Sequence, residues 1–347
     1  MSAAPPTEAE IRQQIRRSLP AGTFARQPRR ALWFIPLAGL VIAGTAAIIA
    51  FDLAWYWALP MALVLGHCYG AMGFLAHEVL HGSVVRSKRL QTFLGAVGFG
   101  PMLVSPSLWR AWHVRIHHGN TNKGNQDPDS FGTLDRYERV PSTRFVTRLA
   151  PGSGRWYSFL FLFYWFSFHA QIVLWIQTQH MRAFKGYDRR RAIIDTFLFL
   201  ALWVAIGILA GPVNSLFVIA IPLMVSNFLV MSYISTNHFM RPQAGAEDSV
   251  LESSMGVRTH RILDRMHFNF SHHVEHHLWP GMSPRFVPRV RQWLEAHVGE
   301  RYVCPPHWKA LRHLYATPRV YLDANTLVDP SNLDRQVDIT ELTLQLQ

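Results

Sequence analysis

Ser271-His272-His273-Val274-Glu275-His276-His277 holds three histidines, His273, His276 and His277, in the pattern H-x-x-H-H. A related cluster lies at His113-Val114-Arg115-Ile116-His117-His118, which reads H-x-x-x-H-H, and a third at His77-Glu78-Val79-Leu80-His81, which reads H-x-x-x-H. Long apolar runs separate the three, so surface decoration does not account for them. On a helix, rings three, four or five positions apart project to roughly one side. Eight neutral imidazoles gathered around one place make a metal site, with more ligands than one zinc ion uses.

Composition points to a membrane. Of 347 residues, 16% are charged and 49% hydrophobic, with 12 Trp and 22 Phe, and the apolar residues are clumped. That is the profile of a polytopic membrane protein rather than a soluble enzyme. The net charge of +12 is carried largely by Arg residues flanking the apolar runs. It reads as positive-inside topology and contact with anionic lipid, and excludes nucleic acid as the natural partner. A basic cytosolic face also suits an acidic electron carrier. The two cysteines, Cys68 and Cys304, indicate no disulfide framework, so nitrogen ligands must hold the metal. Residues 1–30 are polar and Arg-rich, without the apolar core of a signal peptide.

Taken in order, Thr7 and Glu10 form a capping box for a short helix carrying Ile11, Ile15 and Leu19, which Arg12, Arg16 and Arg17 fit for a membrane surface. Residues 31–51 and 53–76 are long enough to cross a bilayer of ~30 Å, and the second run leads straight into His77 and His81. Arg86, Lys88 and Arg89 follow on the cytosolic side. Residues 90–108, broken by glycine and proline, read as re-entrant or interfacial. Residues 193–210 and 213–236 form a second hairpin turning at Gly211-Pro212, and end at Asn237-His238. Residues 156–178 are apolar, but a crossing there would put the third box on the wrong side, so they are expected to dip into the cytosolic leaflet. The expected fold is an all-α integral membrane protein with four transmembrane helices in two hairpins, interfacial or re-entrant helices, and a cytosolic helical cap carrying the metal site. Residues 1–30 form a cytosolic N-terminal segment, 31–300 the membrane domain with its histidine boxes, and 301–347 a polar C-terminal cytosolic tail.

In an H-x-x-x-H helical pair the rings lie one turn apart and can share an ion. The doubled histidines of the other clusters add a ring pointing about 100° away, which suits two adjacent ions better than one. With His238, which emerges at the depth of His77, the donors divide into two sites of four or five. Imidazole suits iron, copper, zinc and nickel alike, so spacing alone implies a dinuclear site of unspecified metal.

The chain resembles the membrane fatty acid desaturases. The resemblance rests on His77-Glu78-Val79-Leu80-His81, on Trp112-His113-Val114-Arg115-Ile116-His117-His118, and on His273-Val274-Glu275-His276-His277 followed by Leu278-Trp279-Pro280. It covers about residues 31–300. It implies two non-haem iron ions, O2 as co-substrate, and removal of hydrogen from an unactivated acyl chain on a lipid or thioester carrier. His77, His81, His113, His117, His118, His273, His276 and His277 would be ligands, with His238 matching a further histidine common in the family. Glu78, Asp127, Asp129, Asn237, His272 and Glu275 are candidates for the surrounding shell that orients ligand N–H groups. His-Pro-Gly-Gly, the haem-binding motif of a fused cytochrome b5, does not occur in the chain. Electrons are therefore expected from a separate ferredoxin, rubredoxin or cytochrome.

Other readings make distinct demands. Hydroxylation of a lipid chain would use the same histidines. An intramembrane zinc hydrolase would use His77-Glu78-x-x-His81 with Glu78 as general base, and would leave most clustered histidines without a role. A metal transporter would place its ligands along the spans. His67, His169, His180, His260, His267, His297, His307 and His313 fall outside the boxes and read as structural or surface residues.

Overall fold

A chain in lipid must satisfy its own N–H and C=O groups, so charge-free sequence becomes helix there. In the computed structural model, which describes residues 6–245 and 249–347, helices run over Phe34–Ala50 and Trp55–Leu80. They are joined by a tight turn in which Asp52 adopts a left-handed φ of 44°. A third apolar stretch, Arg190–His238, is helical for 49 residues, which would measure about 70 Å if straight. It is not straight: Gly211, at φ 73° and ψ 173°, breaks it just before Pro212. Beyond the break the chain turns back, so that a Cβ on Gly207 would lie 3.6 Å from Ile219. The Asn214 amide donates to Asp52 Oδ1 at 3.1 Å, so the two hairpin turns touch. Among the described residues, three helices are long and apolar enough to cross a membrane, or four if Trp156–Phe163 and Trp165–His180, which meet at an 80° bend, count as one span.

The core lies where helix Trp55–Leu80 is enclosed. Every residue from Cys68 to Leu80 is buried. Close approach depends on glycine: a Cβ on Gly66 would sit 2.8 Å from the Pro222 carbonyl of helix Ile221–His238. On the other side, a Cβ on Gly98 of helix Lys88–Phe99 would meet the Met72 carbonyl at 2.3 Å. Missing side chains let backbones pack directly, as lipid-embedded helices require. Helix Lys88–Phe99 is followed by a 3₁₀ turn at Gly100–Met102 and by Leu103 at φ 60°. Its twelve residues span about 18 Å, too few to cross.

The N-terminal helix, Glu8–Ser18, has the capping box between Thr7 and Glu10. Its apolar stripe is buried in protein rather than laid on lipid. Ile11 and Ile15 pack with Val274, Leu278, Val290 and Leu294, and Arg12 donates to the Leu278 carbonyl. An amphipathic stripe looks the same whichever apolar surface it meets, so only the tertiary contact separates the two outcomes.

The tail adds the strands to an otherwise mostly helical chain: β1 (Val320–Tyr321), β2 (Thr326–Asp329) and β3 (Asn332–Asp338) form an antiparallel sheet in that order, followed by helix Ile339–Leu346. Leu327 pairs with Val337 and Tyr321 with Leu327. The Tyr321 hydroxyl donates to the Arg241 carbonyl at 2.6 Å, and Asn122 Nδ2 lies 3.0 Å from the same hydroxyl. The tail thus braces the segment that follows the second histidine box.

Replacing Gly98 with Val should destabilise the protein by about 1–3 kcal/mol, because the obstructing atom is backbone and cannot rotate away. A thermal-unfolding scan of the purified variant checks this; an unchanged transition would show that the two helices have room to separate.

Candidate metal centre

Four elements deliver the histidines to one end of the helical core. Helix Trp55–Leu80 brings His77, with His81 at its C-cap; a π-helical segment Arg110–His117 brings His113 and His117, with His118 at its end. Helix Ile221–His238 ends on His238, and the short helix His273–Leu278 carries the third box. All nine rings are buried or nearly so.

They separate into two adjoining groups. His77, His81, His113, His118 and His276 each offer a nitrogen within 4.8 Å of the others. His117, His238 and His277 do the same. His273 joins the second group, its Nε2 lying 2.6 Å from His238 Nε2 and 3.0 Å from His277 Nε2. The groups meet where the His118 and His277 rings stack at 4.3 Å.

Local geometry decides this division. In the third box, His273 and His277 lie one α-helical turn apart and share the second group, while His276, on another bearing, joins the first. An α-helix in the second box would pair His113 with His117 in the same way. The segment is π-helical instead, with the His118 N–H reaching the His113 carbonyl five residues back at 3.2 Å. That register puts His113 and His118 together, Nε2 to Nε2 at 3.1 Å, and sends His117 to the other group.

The nitrogens face one another in a way that hydrogen bonds do not satisfy. His113 Nε2 lies 3.0 Å from His77 Nε2 and 3.1 Å from His118 Nε2, and His118 Nε2 lies 3.2 Å from His276 Nε2. A ring nitrogen that carries hydrogen cannot also accept, so this string needs one hydrogen shared between two rings. Among the described residues, His81 Nε2 is buried without a hydrogen-bond partner. Burial, and then the neighbouring imidazoles, hold His113, His118, His273 and His277 well below their ordinary pKa, and burial takes His276 to about 3. Rings that stay neutral and point lone pairs at common centres fit cations placed there.

The outward nitrogens are held as metal-binding histidines require. His117 Nδ1 lies 2.9 Å from Asp127 Oδ1 and 3.3 Å from Asp129 Oδ2. Burial pulls His117 down, but the two carboxylates outweigh it and raise its pKa to about 9. The backbone N–H groups of Asn122 (2.7 Å) and Asp129 (3.0 Å) fix the Asp127 carboxylate. Asp129 also accepts from Trp112 Nε1 at 2.8 Å and contacts His169 Nε2 at 3.0 Å. Burial works against its ionised form, but His169 and His117 hold Asp129 at about 2. Thr121 Oγ1 donates to the His117 carbonyl and accepts from His277 Nδ1 at 3.2 Å, leaving His277 Nε2 free to face inward.

The remaining candidates point elsewhere. Glu78 is paired with Arg30, so the carboxylate that a zinc hydrolase would need as base is engaged. Glu275 accepts from Arg291 Nε at 3.0 Å and from the Tyr302 hydroxyl at 2.6 Å. Burial opposes its charge, yet Arg291 keeps Glu275 below its ordinary pKa. Among the described residues neither glutamate bonds a histidine nitrogen. His272 Nδ1 contacts Ser271 Oγ at 3.0 Å and the residue belongs to neither group. Among the described residues, the Asn237 side chain has no hydrogen-bond partner. Of the histidines outside the boxes, His169 reaches the centre through Asp129, whereas His267 bonds the Tyr233 hydroxyl at 2.8 Å. Thr121 and His169 escaped the sequence reading. Thr121 stands four residues after His117, a helical spacing that could have drawn notice; nothing local marks His169.

A small apolar cavity of ≈ 30 Å³ touches His113, His117, His238 and His273, walled by Trp109, Phe166, Met231, Ile234 and Phe270 among others. The walls beside the inward nitrogens are thus mostly apolar.

The fatty acid desaturase family model matches residues 54–310. The chain is 26% identical to an acyl-lipid (7-3)-desaturase of Rebecca salina, over 81% of this chain and 69% of that protein. It is 24% identical to an sn-1 acyl-lipid omega-3 desaturase (ferredoxin) of Synechocystis sp., over 87% and 86% of the two chains. An endoplasmic reticulum omega-3 fatty acid desaturase of Vigna radiata var. radiata matches at 24%, over 83% and 78%.

Asp127→Asn should lower metal affinity by about 10- to 100-fold by loosening His117, whereas Arg139→Gln, in a surface ion pair with Asp135, should leave it unchanged. Metal retention against a graded chelator series measures both, and equal retention in the two variants would remove Asp127 from the site.

Proposed function

We propose that this chain, which belongs to the fatty acid desaturase family, binds two iron ions and uses O2 to insert a C=C bond into a fatty acyl chain. The carrying observation is the convergence of nine imidazoles in two adjoining groups, five and four. His77, His81, His113, His118 and His276 would hold one ion, and His117, His238, His273 and His277 the other. Bound non-haem iron would supply the activation of O2 and the power to break an unactivated C–H bond. Each double bond consumes O2, two electrons and two protons, and releases two waters.

The protein's own part is placement. Asp127 and Thr121 keep ring nitrogens turned inward. The cavity beside His113, His117, His238 and His273 would seat the methylenes and keep the site dry. Position along the chain is selected by how far it enters, since each carbon advances it only ~1 Å and orientation within a fraction of that matters. The electrons would come from a separate carrier. The name of the Synechocystis relative points to ferredoxin, and the net charge of +12 suits an acidic partner.

Four crossings fit this arrangement: Phe34–Ala50, Trp55–Leu80, and the two arms of Arg190–His238 on either side of Gly211. The contact of Asn214 with Asp52 supports both turns on one side. His77 and His238 then emerge together on the other side, next to the cytosolic cations Arg86, Lys88 and Arg89. The bent pair Trp156–Phe163 and Trp165–His180 would lie in that leaflet. Residues 31–300 then form the catalytic membrane domain, with residues 1–30 and 301–347 as cytosolic flanks.

A host expressing the chain should accumulate a new unsaturated fatty acid, seen by mass spectrometry. His276→Ala should abolish it and lower bound iron, while His313→Ala should change neither. Full conversion with full metal in the His276 variant, or an added hydroxyl in place of the alkene, would overturn the reading. Topology has its own test. Cys68 and Cys304 are buried, so a cysteine introduced at Asp52 should react with an impermeant thiol reagent from outside only; labelling from the cytosolic side would rule out the four-span arrangement.

A further inference from the structure

A second and much larger cavity, a cleft of ≈ 970 Å³ open to the surface, lies between the loop after the second histidine box and the bent helices. Its inner end and the small cavity at the metal centre share three wall residues, Asp129, Trp165 and His169. The His169 ring stacks on Trp165 and its Nε2 contacts Asp129, so this trio is the partition between them. Most of the exposed lining is apolar, with Phe145 and Ile172 representative. The cleft also contains Arg136 and Arg182. Among the described residues neither guanidinium has an ion pair or side-chain hydrogen bond, although Arg136 is partly buried. Burial alone, with no acid to offset it, moves the Arg136 pKa down. The one carboxylate in the lining, Asp129, is already committed to His117, Trp112 and His169.

An oily slot with an uncompensated cation, divided from an apolar pocket beside the histidines only by Asp129, Trp165 and His169, has the polarity of an anionic amphiphile. The geometry points to this cleft as the seat of the acyl carrier, with Arg136 binding a phosphate group of the carrier and the acyl chain passing Trp165 and His169 toward the histidines. The inference rests on the proposed desaturase reading and adds the class of carrier: a phosphate-bearing one, either a phospholipid or an acyl thioester of a nucleotide cofactor. A guanidinium matches phosphate with paired N–H groups and is never neutral, which makes an unpaired one in a cleft selective for that chemistry.

Binding can be read without turnover. The full-length protein, purified and stripped of lipid, would be mixed with dioleoyl phosphatidylglycerol, with a neutral monogalactosyl dioleoylglycerol, or with oleoyl-CoA, and retention measured by native mass spectrometry. Phosphatidylglycerol should be held more tightly than the galactolipid. Arg136→Gln should weaken that retention about tenfold or more, and Arg136→Lys should recover part of it. Ile172→Trp, which fills the cleft from its apolar side, should weaken retention while leaving bound metal unchanged. Oleoyl-CoA displacing phosphatidylglycerol with the same dependence on Arg136 would support the phosphate seat and assign it to the thioester. Equal retention of the galactolipid, or no effect of Arg136→Gln, would overturn it. Retention that follows Arg136 in a protein that makes no alkene would sink the desaturase reading alone; alkene formation indifferent to Arg136 and Ile172 would sink the cleft alone.

Discussion

Buried imidazoles that face one another nitrogen to nitrogen cannot satisfy one another, and a buried polar nitrogen without a partner is costly. Among the described residues His81 Nε2 has none, and His113 Nε2 faces two rings, those of His77 and His118. The unmet demand would also be the binding power of the proposed site, because cations at the two groups of rings would meet it. The rest of the fold holds these rings where they would not stay by mutual attraction.

Three kinds of support do this. Glycines at positions 66 and 98 let helix Trp55–Leu80 be gripped closely on both sides, which fixes where His77 and His81 emerge. Charged pairs lock the backbones carrying the boxes: Arg30 holds Glu78 in the first, and Arg291 with Tyr302 holds Glu275 in the third. Such pairs add little net stability, but losing one partner strands a buried charge, so they fix geometry strongly. The third support is remote in sequence. Tyr321 of the C-terminal sheet secures Arg241 and Asn122, and the Asn122 N–H holds the Asp127 carboxylate that orients His117. Residues near the end of the chain therefore steady a ring near its middle.

Much of this was legible because the signals are local and periodic. The apolar runs announce helices by length, the capping box of Thr7 and Glu10 is a four-residue pattern, and the breaker Gly211-Pro212 marks the turn of the second hairpin. The doubled histidines read as suiting two adjacent ions rather than one, and His117 and His118, like His276 and His277, lie in different groups of rings. What was missed depended on contacts made at a distance. Glu78 and Glu275 look like partners for their neighbouring histidines until Arg30 and Arg291 arrive from elsewhere. His169 looks structural until the bent helices bring it to Asp129. The tail reads as polar and featureless, since short strands of a small sheet carry few apolar residues each.

The amino-acid sequence by itself determined that the chain is a helical membrane protein with a cluster of histidines at the end of its apolar helices, because hydrophobic length and residue spacing act within a few turns of chain. Tertiary structure alone decided which histidines are grouped together. An ordinary helix would have joined His113 to His117; the π-helical register joins His113 to His118 instead, while His117 turns to Asp127, a contact made only in the folded chain.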